Sequence, residues 1–200
     1  MIKIRSVFFR NIIILVATVI LLITCILNLI NPTTRKINDW LYPLKYEDTI
    51  RKYARAYNVD AALAQAVIRE ESKFNERALS RSGAIGLMQI MPDTGEWIAE
   101  QLDEDYGDLY EVDRNIRYGI WYLAELTAEF NGNRVLVLAA YNAGRGTVWD
   151  WIDEYGWHKD FNDIDAIPYT ETRKYVKRVI KSCDKYRSIF NGREARQHER

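Results

Sequence analysis

Glu71 is the residue whose placement first suggests chemistry. It lies in Val67-Ile-Arg-Glu-Glu-Ser-Lys-Phe-Asn75, a stretch of helical spacing downstream of Asp60. At about 100° per residue, with Leu63 at the origin, Val67 falls at about 40°, Ala64 at about 100° and Ile68 at about 140°. Glu71 falls at about 80°, inside that apolar arc, whereas Glu70 falls at about 340°, near its edge. Gln65 and Arg69, at about 200° and 240°, mark the polar side. A carboxyl drawn out of water keeps its proton to higher pH. An acid still protonated near neutrality can donate to a leaving oxygen. Glu71 is therefore a candidate general acid. Its position also fits two plainer readings: a helix-end glutamate that bends out to water, or one that pairs with Arg69 or Arg77.

Two more groups could serve a ligand. In Gly86-Leu-Met-Gln-Ile-Met-Pro92, the glycine lets backbone approach closely, and the Gln89 amide both donates and accepts. Met88 and Met91 equally suit gaps in a core. In Ala139-Ala-Tyr-Asn-Ala-Gly144, Tyr141 and Asn142 set a phenol and an amide between small residues. The same run also reads as a helix end with Gly144 in the left-handed region. Trp149, Trp151 and Trp157 could stack on sugar rings or pack in a core. Gly144-Arg-Gly146 follows no strand and lacks the third glycine of a nucleotide loop.

Composition removes other chemistries. Lys+Arg and Asp+Glu are both 28, so there is no basic excess of the kind nucleic acid attracts. Two histidines, His158 and His198, cannot supply a multi-histidine metal site, an HExxH helix or a Ser-His-Asp triad. No metal or other cofactor is expected. Cys25 falls in an apolar run, so no bridge to Cys183 is expected.

These residues need a scaffold, and the scaffold reads as helical. Residues 1–10 are short and basic. The run 11–30 is almost wholly apolar, and Ile12–Ile30 contains no charged residue. Nineteen helical residues span roughly 28 Å, about one bilayer core. The run is longer than a cleaved signal's apolar region and lacks Ala-x-Ala, so it reads as a single-pass signal anchor rather than a lipoprotein site at Cys25. The basic N-terminus places the remaining chain on the extracytoplasmic side. Residues 31–45, with two prolines, read as a linker, and 46–190 as one globular domain ahead of a charged tail, 191–200. Within it, helices are predicted over Glu47–Tyr57, Ala61–Lys73 capped by Asp60, Pro92–Gln101, Arg114–Phe130 capped by Asp113, Val135–Tyr141, Thr147–Tyr155 and Thr170–Phe190. Gly144 and Gly146 are expected to end the fifth. No hairpin signal appears, so the domain is mostly α.

Taken in order, four blocks resemble the lytic transglycosylases built on the soluble lytic transglycosylase (SLT) catalytic domain, a lysozyme-like fold related to goose-type lysozymes. They are Ile68-Arg-Glu-Glu-Ser72, Gly83-Ala-Ile-Gly-Leu-Met-Gln-Ile-Met-Pro92, Ala140-Tyr-Asn-Ala-Gly144 and Pro168-Tyr-Thr-Glu-Thr-Arg-Lys-Tyr-Val176. Asn115-Ile-Arg-Tyr-Gly-Ile-Trp-Tyr-Leu123 resembles a further helix of the family. The resemblance implies that Glu71, which precedes Ser72, is the catalytic acid. It implies that Ser72, Met88, Gln89, Tyr141, Asn142, Tyr169 and Tyr175 serve substrate binding, and that Glu171 plays a structural part. The implied substrate is the glycan strand of peptidoglycan. In the family, the substrate's N-acetyl group assists bond cleavage and the one acid then helps close a 1,6-anhydro ring, whereas ordinary glycosidases use two carboxylates. A goose-type hydrolase, a silent wall-binding module and a component of a secretion or conjugation machine are the competing readings.

Overall fold

The structure, a computed structural model, describes residues 16, 18–22, 40–158 and 160–198. The chain divides into two compact units, Met1–Pro43 and Leu44–Arg200. In the first, residues 16 and 18–22 are helical and exposed. The rest of the expected anchor, 11–30, and residues 31–39 of the expected linker lie outside the described residues. Among the described residues no helix is long and apolar enough to cross a membrane.

The second unit is helical, as its sequence spacing predicts. Its elements are α1 (Glu47–Ala56), α2 (Ala61–Ser72), α3 (Pro92–Gln101), α4 (Val112–Glu129), α5 (Arg134–Ala143), α6 (Arg145–Tyr155), a 3-10 turn (Ile164–Ala166) and α7 (Thr170–His198). The long loop between α2 and α3 is braced by two isolated β-bridges, Leu79 to Ile85 and Ile85 to Ile90.

Local chemistry sets most of these boundaries. The Asp60 carboxylate accepts from the Ala62 amide at 2.8 Å and opens α2. Asn133 accepts from both Val135 and Leu136 amides and opens α5. Pro92 sits in the first turn of α3, where its missing N–H leaves no bond unmade. Asp113 departs from expectation. Helix α4 already starts at Val112, and the Asp113 carboxylate instead accepts from the Tyr53 hydroxyl and faces Lys52 at 3.5 Å, tying α4 to α1. Gly144 departs too: at φ 93° and ψ 142° it is not left-handed helical, and it joins α5 directly to α6, with Gly146 inside the first turn of α6. The last helix runs past Phe190 to His198, because its late charges find partners on α1. Arg193 meets Glu47 at 3.1 Å and Glu194 approaches Arg51 at 3.9 Å.

The core is built on α2, α5 and α7. The most extensive helix contact is between α2 and α7, which bring to the core the fully buried Ala64, Val67 and Ile68 and the fully buried Val176, Val179 and Cys183. Each such Val or Ile contributes roughly 1.5–3 kcal/mol. Helix α5 is apolar on every side and is buried from Val135 to Ala140, as a helix enclosed by others must be. One sequence expectation fails on α2. Gln65, assigned to a polar face, has no exposed surface, and its amide donates to the Lys45 carbonyl at 3.1 Å. Helix α2 is flanked by α1 and α7, so a two-sided wheel misdescribes it.

Candidate active site

Glu71 lies one residue before the end of α2. The chain then turns through two successive left-handed residues, Lys73 (φ 52°) and Phe74 (φ 64°), and the buried Phe74 ring anchors the turn. Among the described residues the Glu71 carboxyl has neither an ion pair nor a hydrogen bond. Burial pushes its pKa up to about 7. The Tyr175 hydroxyl and then Arg178 pull the other way, while Glu70 and Glu171 add to the rise.

Its neighbour Glu70 is as well covered, with a side chain 9% exposed, but meets a different environment. Arg69 pairs with one Glu70 oxygen, the Ser182 hydroxyl donates to the same oxygen at 2.7 Å, and Arg178 reaches the other at 3.2 Å. What separates the two glutamates is partners, not burial. Arg69 is engaged by Glu70, and Arg77 lies over the Tyr110 ring at 5.6 Å. Neither pairs with Glu71.

Two tyrosines close over the acid. Burial, and secondarily the charge of Glu71, hold both Tyr141 and Tyr175 well above the usual phenol pKa, so both remain hydrogen-bond donors. Tyr141 donates to the Met88 carbonyl at 2.8 Å. Tyr175 lies close enough to Glu71 to favour its charged form, yet stops short of hydrogen-bond geometry. Its buried hydroxyl has no partner among the described residues.

The loop that carries Met88 is clamped by Asn115 of α4. The Asn115 carbonyl oxygen accepts from the Met88 amide at 2.7 Å, and its amide donates to the carbonyls of Ile85 at 2.9 Å and Leu109 at 2.8 Å. A Cβ on Gly86, at φ 77°, would collide with that amide and lie 2.8 Å from the Leu109 carbonyl. One turn along α4, a Cβ on Gly119 would strike the Met88 side chain. Asn115 and Gly119 are four apart and share a helix face. That spacing is the signal from which the clamp could have been read.

The other expected binders divide. Met88 has no exposed surface: its side chain packs on Gly119, so it is core, and only its carbonyl faces the site. Gln89 is left-handed (φ 51°) and its amide nitrogen is turned to the carbonyls of Gly86 at 2.9 Å and Ala78 at 3.4 Å. The Ser72 hydroxyl donates back to the Ile68 carbonyl at 3.2 Å. Asn142 is half-buried and its amide has no partner among the described residues. Tyr169 is 55% exposed and stands edge-on to Trp151 at 4.9 Å. Of the three tryptophans, Trp151 is core, Trp157 stacks on Phe161 at 3.8 Å, and the Trp149 indole donates to Glu129 at 2.5 Å. Among the described residues no cluster of His, Cys, Asp and Glu is arranged to hold a metal ion.

Comparison with known proteins speaks to the family and the fold. Residues 48–164 match the transglycosylase SLT domain. The chain is 37% identical over 159 residues to a soluble lytic murein transglycosylase of Salmonella typhimurium, covering 77% of this chain and 25% of that one. It is 32% identical over 172 residues to a membrane-bound lytic murein transglycosylase C of Actinobacillus pleuropneumoniae, covering 72% of this chain and 46% of the relative. The 70 kDa soluble lytic transglycosylase of Escherichia coli has the same fold, with a TM-score of 0.71 at 33% identity over 78% of this chain and 26% of that one. The chain thus spans about a quarter of the length of the soluble relatives it matches. On the match over 48–164 and the shared fold, the chain belongs to the transglycosylase SLT domain family.

Proposed function

We propose that this protein is a peptidoglycan lytic transglycosylase, cleaving between N-acetylmuramic acid and N-acetylglucosamine with Glu71 as its single acid and base. The observation that carries the reading is the buried Glu71 carboxyl, held near pH 7 and left without a cation beside a tied-up Glu70. At neutral pH about half of such a group is protonated, the state from which it can donate to the departing glycosidic oxygen. The carboxylate that results is a base. It would take the proton of the muramyl C6 hydroxyl as that oxygen attacks C1 and closes the anhydro ring. The substrate's own N-acetyl carbonyl would hold C1 between the two steps, so no second protein carboxylate is needed.

The surrounding groups fall into place around this acid. The unpartnered Tyr175 hydroxyl has a free donor for the N-acetyl group or for the carboxylate that forms. In this reading the Asn142 amide and the exposed Tyr169 ring serve to bind the glycan strand. Gln89 and Ser72 act through the loop and helix they fasten, and Met88 through its carbonyl. We further propose that residues 11–30 anchor the chain in the membrane with 46–190 on the wall side, joined by 31–45. The uncharged run Ile12–Ile30 and a membrane-bound relative support that arrangement.

The test is product analysis on purified sacculi. The wild-type protein should release muropeptides ending in 1,6-anhydro rings, and Glu71→Gln should release none while keeping its helical spectrum. Products heavier by one water would identify a goose-type hydrolase instead. Wild-type product from Glu71→Gln would sink the assignment of the acid.

A further inference from the structure

Helix α7 lays one face along the end of α2. Tyr175, Arg178 and Ser182 follow one another at spacings of three and four residues, so they share that face. Tyr175 lies beside Glu71, and Ser182 donates to Glu70 at 2.7 Å. Arg178 stands between them along the helix. Its Nε lies 3.2 Å from a Glu70 oxygen, and its charge also favours the ionised form of Glu71. One cation therefore has two adjacent carboxyls within its influence.

The contacts give it to Glu70. That carboxylate takes Arg178 on one oxygen, and Arg69 and the Ser182 hydroxyl on the other. The Ser182 oxygen also accepts from Arg69 at 3.3 Å, which closes a ring of contacts among Arg69, Glu70 and Ser182. The Glu70 side chain is 9% exposed, so its charge has to be matched by close partners. The Arg178 side chain is 51% exposed. Little packing holds its arm, and the ion pair with Glu70 fixes its head. Arg69 precedes Glu71 by two residues, a spacing at which helical side chains do not face each other, so of the two arginines Arg178 has the better approach to the acid. The groups that face Glu71 are Glu70 of α2, Glu171, Tyr175 and Arg178 of α7, and Tyr141 of α5. Of these only Arg178 is positive.

We propose that Glu70 is a positioning residue for the transglycosylase reaction: by holding Arg178 at the seam between α2 and α7, it keeps that cation from pairing with Glu71. The proposal rests on the reading of Glu71 as the acid. It gives Glu70 a part in turnover without any contact with substrate. A Glu71–Arg178 pair would leave a carboxylate with no proton to donate. Removing the Glu70 charge favours that pair in two ways, since it frees the Arg178 head and ends the repulsion between adjacent carboxylates.

Two measurements test it. The first is the pH profile of kcat/KM on purified sacculi for wild type, Glu70→Gln and Glu70→Gln/Arg178→Gln. Glutamine keeps the length of Glu70 and can still accept from Ser182, so the seam keeps its shape. In Glu70→Gln the alkaline limb should move down by about one pH unit, the effect of an opposite charge brought to a carboxyl. Activity should then fall about tenfold at pH 8 and stay near wild type at pH 5. The double variant has no Arg178 cation to release, and its limb should return to near the wild-type position. A Glu70→Gln profile lowered equally at every pH would mark a purely structural residue and overturn the proposal, as would a limb that stays in place. The second measurement follows the Glu71 carboxyl directly, by carbon-13 NMR of side-chain-labelled protein, with Glu71→Gln identifying its signal. The midpoint should fall by about one pH unit in Glu70→Gln and recover in the double variant; equal midpoints in all three proteins overturn the proposal. Because this titration needs no turnover, it decides the part played by Glu70 even if no strand is cut, an outcome that would count only against the enzymatic reading.

Discussion

Replacing Glu71 by glutamine should stabilise the protein, and by an amount that depends on pH in a defined direction. The folded carboxyl ionises near 7 rather than at the ordinary 4.5. Below pH 4.5 the group is protonated in both states and contributes no difference. Between 4.5 and 7 the unfolded chain loses the proton while the folded chain keeps it, so stability falls as pH rises. Above 7 the loss is complete. At about 1.4 kcal/mol per pH unit over about 2.5 units, it amounts to roughly 3 kcal/mol. Glutamine has the same shape and no charge to desolvate, so Glu71→Gln removes the loss. The melting temperature of the variant should match wild type at pH 4 and exceed it at pH 8, by roughly 6–12 °C on the scaling for a domain of this size. The assay is thermal unfolding of both proteins across that range. The same variant should be inactive, the usual exchange between stability and function at a strained site. Equal melting temperatures at pH 8 would mean that the carboxyl finds water or a cation when folded. Glu71 would then be ionised at neutral pH and could not serve as the proton donor.

Other outcomes follow from the same contacts. With the protonated acid as the active form, kcat/KM should fall as pH rises through about 7. Tyr175→Phe and Arg178→Gln each remove a group that favours the charged carboxyl, so each should move that alkaline limb to higher pH; a pH–rate profile shifted downward would refute the electrostatics. Asn115→Ala leaves the Met88 amide and the Ile85 and Leu109 carbonyls without their partner. At roughly 1–3 kcal/mol for each buried group stranded, unfolding by denaturant should show a loss of about 3–5 kcal/mol once relaxation and water entry are allowed for, with kcat falling as the Met88 loop loosens.

The helices were legible because their signals are local. Asp60, Pro92 and the spacing of α2 and α4 each speak for a boundary or a face within a few residues. The failures share one cause, which is that the deciding partner lies far along the chain. Asp113 was read as a cap because nothing nearby announces Tyr53, sixty residues upstream. The residues after Phe190 are set outside the domain as a charged tail because their partners, Glu47 and Arg51, belong to the first helix. Met88 was read as a cleft residue, whereas Gly119 on α4 takes its side chain into the core. The clamp at Asn115 is the same case in reverse, a residue whose spacing to Gly119 was visible but whose target loop was not.

Glu70 and Glu71 differ in a way the helical wheel captures only in part. The helical wheel separates the two by burial, yet α2 is enclosed by α1 and α7, and both carboxyls are largely covered. The separation is made by α7. It presents Ser182 and Arg178 to Glu70, and Arg69 of α2 completes the shell. One turn earlier, α7 presents the phenol of Tyr175 to Glu71, while Arg178 and Glu171 act on it only through their charge. Two adjacent glutamates thus receive opposite treatments from one helix. Glu70 engages Arg69 and Arg178 at its own carboxylate, so neither forms an ion pair with Glu71, and Arg178 lowers the Glu71 pKa only through its more distant charge. Its own negative charge then adds to the rise. Glu70 is in this sense part of what keeps Glu71 an acid. Neutralising it alone should release Arg69 and Arg178 toward Glu71 and depress the pKa that the reaction requires.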